Sequence, residues 1–468
     1  MISLIRFSFT CLLVLLTPFC IDAQMITWNR LYNGPLNWYD ESYGICQTTD
    51  GNYAVAGYTR IPGDVPYVIK VNTFGDTIWT LTLPAGSFAQ IASSIAPAED
   101  GGVLISGQGQ RLFVAGISSV GKLEWLNSYS SNPYETGEQI IRSPDDYYFV
   151  CGQGGFVMKI NRRGDLIWKR YYFGDIKDLA LTKGGDIIAC GTAFISSDSL
   201  AGIIHKIDPD GNVKWRTIHN LRQTTTAVAI DASNSEYYIG GTIRISGITK
   251  SYVSILDSTG KTHSNYILNS ESKEYLQDLK FMTEERLVIC THLLPDSIDY
   301  INQSRILITD PNLKVKREVI FDSAQLLQLF SITVNNSGYI TATGTYRYIT
   351  FGGIDDIWTV RMDSNLNVPL VNIRSNQFST PSKAKVNISP NPFNSHTEIL
   401  YTINESANFI LEIYDVSGRL IKSQIVGFRQ PGNHRFNLDW TGNSSGIYIC
   451  ILKSNLEIHA LSKFAFLK

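Results

Sequence analysis

The sequence predicts an all-β chain, a seven-bladed β-propeller over residues 25–370 followed by a small Ig-like β-sandwich over 386–468. Three observations predict it. A strand–turn–strand pattern recurs roughly every 45–50 residues through the first part of the chain, no helical periodicity occurs anywhere, and the last part breaks into short alternating strands separated by turn residues. Composition agrees. The 468 residues are 44% hydrophobic and only 18% charged, with 24 Tyr and 37 Gly, which favours ordered β structure over disorder. The formal net charge is −2 and no dense Lys/Arg run occurs, so the long-range field that a nucleic-acid binder needs is missing and no nucleic-acid partner is expected.

Residues 1–23 are expected to be a secretory signal peptide. Arg6 precedes a short apolar core, Phe7 to Leu16, which Pro18 breaks before the small residue Ala23; the run is too short to span a bilayer. Phe19 ahead of Cys20 argues against a lipid anchor, because that position normally holds a small residue. No later stretch approaches the ~20 apolar residues of a transmembrane helix, so no transmembrane segment is expected in the mature chain.

The repeat is anchored on pairs that end a short apolar run: Ala56-Gly57, Ser106-Gly107, Cys151-Gly152, Cys190-Gly191, Ile239-Gly240, Cys290-Thr291 and Thr343-Gly344. Twelve positions before each second residue stands an apolar one: Ile45, Ile95, Ile140, Leu179, Val228, Leu279 and Ile332. Between them lies turn chemistry such as Asp50-Gly51, Asp100-Gly101 and Ser337-Gly338, which supplies positive φ or Asx turns between two strands. A third strand, a Gly turn and usually a Trp follow, as in Gly75…Trp79, Gly121…Trp125, Gly164…Trp168 and Gly211…Trp215. The fifth and sixth units carry His263 and Lys316 where Trp is expected. Four short strands per unit, repeated radially, describe propeller blades. The segment Ile26 to Tyr32 has the Trp-bearing pattern but precedes the first anchor, so it is expected to complete the last blade and remove the open edges.

Polar residues at 371–385 read as a linker. Beyond it stand, in order, Ser389-Pro390-Asn391-Pro392-Phe393-Asn394, then Leu411-Glu412-Ile413-Tyr414-Asp415-Val416-Ser417-Gly418-Arg419, then Pro431-Gly432-Asn433-His434, then Ser445-Gly446-Ile447-Tyr448, ending on Lys463-Phe464-Ala465-Phe466-Leu467-Lys468. This segment resembles the type A C-terminal sorting domain of the type IX (Por) secretion system of Bacteroidetes and their relatives. The resemblance implies that Pro390, Asn391, Pro392, Phe393, Tyr414, Asp415, Gly418, Arg419, Gly432, Gly446, Tyr448, Lys463 and Lys468 carry the sorting motifs. It implies as partners an outer-membrane translocon and a sortase-like peptidase, with the cargo delivered to the cell surface or released.

Chemistry is sparse. Cys46, Cys151, Cys190, Cys290 and Cys450 remain after the leader. Three of them share one column of the repeat, where neighbouring sheets lie about 10 Å apart, beyond the ~7 Å limit for a disulfide; they read as buried small residues. His205, His219, His263, His292, His396, His434 and His459 are scattered without zinc-ligand spacing. No nucleophile elbow, P-loop or EF-hand occurs, so no cofactor, metal or catalytic residue is assigned. Arg163-Gly164-Asp165 matches an adhesion tripeptide but sits at a blade turn. The Gly-to-Trp turns are similar to those of quinoprotein-type blades and to sialidase Asp boxes, in both of which they dock blades. One column, thirteen positions before the anchors, falls near the start of the innermost strands: Gly44, Ser94, Gln139, Asp178, Ala227, Asp278 and Ser331. Ser94, Gln139, Asp178, Asp278 and Ser331 are its candidate ligand-binding members, expected at the mouth of the central channel. The function expected is an exported module that binds a polysaccharide or a protein. A propeller-type glycoside hydrolase or lyase, and a structural part of the cell envelope or gliding machinery, are the alternatives.

Overall fold

The computed structural model of the chain describes residues 27–35, 39–61, 63–130, 132–196, 199–221, 223–230, 236–270, 272–294, 302–322, 326–348, 354–368, 385–403, 406–415, 420–430, 432–454 and 457–467. The expected signal peptide, nearly all of the expected linker, and the motif residues Gly418, Arg419 and Lys468 lie outside the described residues. Among the described residues every regular element is a β-strand. The chain divides into two compact units, Met1–Leu370 and Val371–Lys468.

In the first unit, seven antiparallel four-stranded sheets follow one another, each in simple up-and-down order. Sheet one is typical: Asp40–Gln47 innermost, then Tyr53–Ile61, Gly63–Val71 and Thr77–Thr82. The innermost strands of sheets two to seven are Ala89–Pro97, Gly137–Arg142, Asp175–Leu181, Gln223–Ile230, Lys273–Thr283 and Leu326–Val334. Each innermost strand packs beside the next, and the seventh returns to the first. This ring is a β-propeller. The seventh sheet is completed from the other end of the chain. Trp28–Tyr32 pairs antiparallel with Ile354–Met362, with Trp28 opposite Arg361 and Tyr32 opposite Ile357. The expected closing strand is therefore in place at Trp28–Tyr32, and strands from the start and the end of the first unit zip one sheet together.

Burial explains which residues make which strand. Second strands are covered on both faces by neighbouring sheets, so Tyr53–Ile61 and Val103–Gly109 are almost wholly buried and read as continuous apolar runs. Outermost strands such as Thr77–Thr82 are mostly open on one face and tolerate polar residues. Buried charge occurs where it is paired. Lys70, 1% exposed, reaches Asp50 (2.5 Å) and the Gly101 carbonyl (2.8 Å), tying sheet one to sheet two.

The second unit is a two-sheet sandwich. Lys385–Ser389, His396–Ile403 and Gly432–Asp439 form one sheet; Leu420–Arg429, Ala407–Asp415, Gly446–Ser454 and Glu457–Phe466 form the other, in that spatial order. Alternation places Tyr448, Cys450 and Leu452 inward from one sheet and Ile399, Tyr401 and Ile403 from the other, around the fully buried Trp440.

Candidate functional site

The repeat is built around a bulge. In all seven innermost strands the register slips by one residue just before the column read from sequence, between Ser42 and Gly44, Ala92 and Ser94, Gly137 and Gln139, Ile176 and Asp178, Thr225 and Ala227, Leu276 and Asp278, and Leu329 and Ser331. The bulge explains the anchor glycines. A Cβ on Gly57, Gly107, Gly152, Gly191 or Gly344 would strike a carbonyl oxygen of the bulged strand, that of Glu41, Ile91, Thr136, Asp175 or Gln328 respectively. In the fifth sheet the residue facing the bulge is Gly241, one beyond the sequence anchor. In the sixth it is Thr291, whose hydroxyl donates to Glu274 (2.7 Å).

The candidate column forms a belt of bonds between sheets. Ser94 contacts Gln139, whose amide donates to Asp178 Oδ1 (2.9 Å). Asp278 Oδ2 accepts the Ile332 N–H (2.9 Å) and the Ser331 hydroxyl (3.3 Å). Asp178 and Asp278 each also accept the N–H of the following residue, Leu179 or Leu279, at 2.8 Å. Ser94, Asp178 and Asp278 are buried, Gln139 and Ser331 half-buried. Gly44 has no room for more, since a Cβ there would lie 3.0 Å from the Ser94 Cα; the Ala227 side chain lies outside what is described. Sheets two to four and six to seven are thus joined through the predicted residues, which use their polar groups on one another.

Sequence reasoning missed the residue one position earlier. Tyr43, Ser93, Glu138, Lys177, Gln277 and Phe330 are the unpaired bulge residues, and all are partly exposed. Lys177 pairs with Glu138 at 2.7 Å across sheets three and four. The Tyr43 and Phe330 rings meet at 5.1 Å across sheets one and seven. A strict period-2 reading misassigns the faces here, because each bulge adds one residue to the strand. Deeper, Lys280 lies 2.9 Å from Asp278 with a third of its side chain accessible. Burial works against its charge, but Asp278 and then Asp178 more than offset this and raise its pKa.

The seam where sheet seven meets sheet one gathers the densest chemistry. Arg347 forms a two-pronged pair with Asp355 (2.6 and 2.7 Å) and approaches Glu41 (3.5 Å). Tyr43 donates to Glu41 (2.5 Å) and Tyr348 to Asp356 (2.8 Å). Tyr43 stacks near Tyr58 (6.3 Å), Tyr346 meets Tyr348 edge-on (4.8 Å), and Arg60 lies over Tyr39 (4.8 Å). Asp40 accepts the Gly34 N–H at 2.6 Å. Burial first, and then the fields of Asp40 and Asp355, push Asp356 up to about 6. Burial and Asp355 raise Glu41, and burial raises Asp40. Aromatic faces, a guanidinium and carboxylates of raised basicity thus share one end of the ring.

Elsewhere the titratable residues are structural. Cys46, Cys151, Cys190, Cys290 and Cys450 are buried thiols; burial pushes Cys46 and Cys450 up to about 12. His205, His219 and His292 are buried, with pKa values lowered by burial, His292 to about 4. Among the described residues no group of three or more His, Cys, Asp or Glu is placed to hold a metal ion. Gly164 of the Arg163-Gly164-Asp165 turn lies under the Trp125 ring, and its carbonyl accepts the Tyr129 hydroxyl (2.6 Å).

In the second unit the motif residues clamp the last strand. Asn391 works in both directions, donating to the Lys463 carbonyl (3.0 Å) and accepting the Ala465 N–H (2.8 Å). Phe393 accepts the Leu467 N–H (2.9 Å) and its ring lies between Phe464 and Phe466. Both Pro390 and Pro392 follow cis peptide bonds. Tyr448 stacks on Phe464 and donates to the Ser444 carbonyl (2.7 Å); Tyr414 donates to Glu412 (2.5 Å). Gly432 has φ 145°, and a Cβ on Gly446 would lie in ordinary contact with the Tyr448 ring, 3.7 Å away. The family of secretion system C-terminal sorting domains matches residues 387–465. The second unit is a type IX sorting domain. Such a domain implies contact with the type IX secretion machinery and export to the cell surface or beyond. No helix among the described residues is long and apolar enough to cross a membrane.

Among curated proteins none matches the chain. Similar solved structures include a protein of unknown function from Bacteroides caccae (15% identity, 48% of this chain and 81% of that one, TM-score 0.35). BamB from Moraxella catarrhalis is 12% identical over 68% of this chain and 85% of its own, with TM-score 0.40. The Pan2 WD40 domain of Neurospora crassa is 11% identical over 72% and 95%, with TM-score 0.48.

Proposed function

We propose that this exported propeller binds a polysaccharide at the channel mouth, on the seam between sheets seven and one, after its sorting domain has been read by the translocon and removed by a sortase-like peptidase. The carrying observation is the seam itself: the half-buried Tyr43 and Phe330 rings beside the Arg347, Glu41 and Asp355 cluster. Aromatic faces stack on the apolar side of a sugar, while planar charged groups bond its hydroxyls in pairs. Asp178, Asp278 and Ser331 support that mouth as a rigid belt, and Lys280 offers a further donor within it.

The test is incubation of the purified full chain with insoluble polysaccharides, following protein depletion and sugar release together. Depletion is expected, falling at least about tenfold in affinity when Tyr43→Ala and Phe330→Ala are combined. Unchanged depletion by that variant rejects the site. A second reading rests on the raised pKa of Asp356 and Glu41, the state a general acid needs. Sugar release that Glu41→Gln abolishes would make the protein a glycoside hydrolase or lyase.

A further inference from the structure

The seam between sheets five and six lacks the latch that joins most of the ring. From sheet seven round to sheet five an indole on the outermost strand of one sheet docks on a turn of the next. Trp28 donates to the Thr73 carbonyl (3.0 Å), Trp79 to that of Ser119 (2.8 Å), Trp168 to that of Pro209 (3.1 Å) and Trp215 to that of Ser258 (3.2 Å). The turn residue beneath must lack a side chain: a Cβ on Gly75, Gly121, Gly164 or Gly260 would stand 2.7–2.8 Å from a ring carbon of Trp28, Trp79, Trp125 or Trp215. At the fifth-to-sixth seam Ser264 stands where the Trp stands elsewhere, opposite Ile255 as Trp79 is opposite Lys70, with His263 at the bulge just before it. There Leu313, at φ 62°, replaces the Gly. The sixth-to-seventh seam makes the same exchange with Arg317 and Leu366, at φ 63°. Leu313 is buried and takes up part of the space beneath the missing ring. The rest is a cavity of about 230 Å³.

Its walls are chemically specific. His263 bonds Glu236 at 2.9 Å, and the Tyr238 hydroxyl lies 3.0 Å from Glu236 and 3.1 Å from the Pro311 carbonyl. Asn265, Asn312 and Ser264 add groups that both donate and accept, and Tyr266, 37% exposed, adds an aromatic ring at the rim. No Lys or Arg is among the lining residues, so nothing there selects an anion. The volume lies below the ~300 Å³ at which drug-sized pockets begin, which suits one ring. We infer that this cavity is a binding pocket for a single neutral sugar residue, formed where the repeat exchanges its Trp–Gly latch for Ser264 and Leu313, with His263 beside them. Planar carboxylate, imidazole and carboxamide edges match adjacent hydroxyls, the apolar floor of Ile255 and Leu313 matches the ring, and the tyrosine at the rim matches a sugar face. The pocket lies on a different seam from the channel mouth, so the two sites stand or fall separately.

The test titrates the full-length protein with methyl glycosides of glucose, galactose, mannose and N-acetylglucosamine, following the His263 ring resonances by NMR, assigned with His263→Gln. At least one glycoside is expected to shift them with millimolar affinity. Ser264→Trp combined with Leu313→Gly, which rebuilds the latch inside the cavity, is expected to weaken binding at least about tenfold; Tyr43→Ala with Phe330→Ala is expected to leave it intact. Should the rebuilt latch not fold, Glu236→Gln keeps the shape and removes the charged acceptor, with the same loss expected. No shift with any of the four glycosides overturns the inference, as does binding that survives both pocket variants. Loss of polysaccharide binding in the mouth variant with the pocket intact, or the reverse, tells the two sites apart.

Discussion

Glu274 is fully buried, where Arg305 (3.1 Å) and the Thr291 hydroxyl (2.7 Å) meet it. Arg305→Met strands that carboxylate and is expected to cost about 3–5 kcal/mol in urea unfolding. Adding Glu274→Leu should recover most of the loss, because the cost lies in the uncompensated charge. Asp356 has the opposite character. Its folded pKa of about 6 lies above the ordinary 3.8, so its contribution to stability is fully present below the unfolded pKa and is lost as pH rises through about 6. At neutral pH the deficit is at most about 3 kcal/mol. Asp356→Asn should therefore gain on the wild type as pH rises, with the difference smallest at pH ~4 and largest at pH ~8. His292, lowered to about 4, runs the other way: its contribution is present above the unfolded pKa of ~6.5 and lost as pH falls through about 4. The difference between variant and wild type, measured by thermal melts across that range, isolates Asp356.

A sheet in this ring depends on latches between elements more than on its own hydrogen bonds, because each sheet's two faces are covered by different neighbours. The ring-closing strand shows this most directly. Trp28 is 3% exposed and crosses from the seventh sheet to the first, where its ring covers Gly75 and Tyr32 adds a hydrogen bond to the Gly75 carbonyl (2.7 Å). Trp28→Ala removes a large buried side chain and the link between the chain's two ends, and should cost about 3–5 kcal/mol by denaturant unfolding. Trp79→Ala, at a seam with no chain end and a half-buried ring, should cost less. Equal losses at the two positions would mean that closure contributes nothing beyond packing.

At the scale of the molecule the chain has two compact units, a propeller and a sorting domain whose family implies export. Removing residues 386–468 is expected to leave the propeller folded and stranded in the periplasm, scored by cell fractionation and surface labelling; normal surface delivery would contradict a sorting role. Within the sorting domain, Asn391→Ala removes both bonds to the last strand and is the smallest change that loosens the motif without altering the core.

Much of this organisation is written locally. The four-strand repeat, its Gly and Asp turns, the Trp docks, the closing strand at 26–32 and the sorting motifs all rest on residues near one another in the chain, where periodicity and turn chemistry act. The lapse of the docks falls at Ser264 and Arg317, one residue beyond the expected His263 and Lys316, because a bulge precedes that position. The candidate site was legible only in part. Asp178 and Asp278 bond residues of neighbouring inner strands, yet a bulge in every inner strand adds a residue just before their column, and no alternation rule counts an extra residue. The Arg347–Glu41–Asp355 cluster joins residues some 300 positions apart, and the cavity at His263 exists because a turn from the next sheet brings Leu313 beside it. Local sequence determines what each strand is; closing the ring decides which side chains meet, because only the packed neighbour removes water and sets the distances between charges.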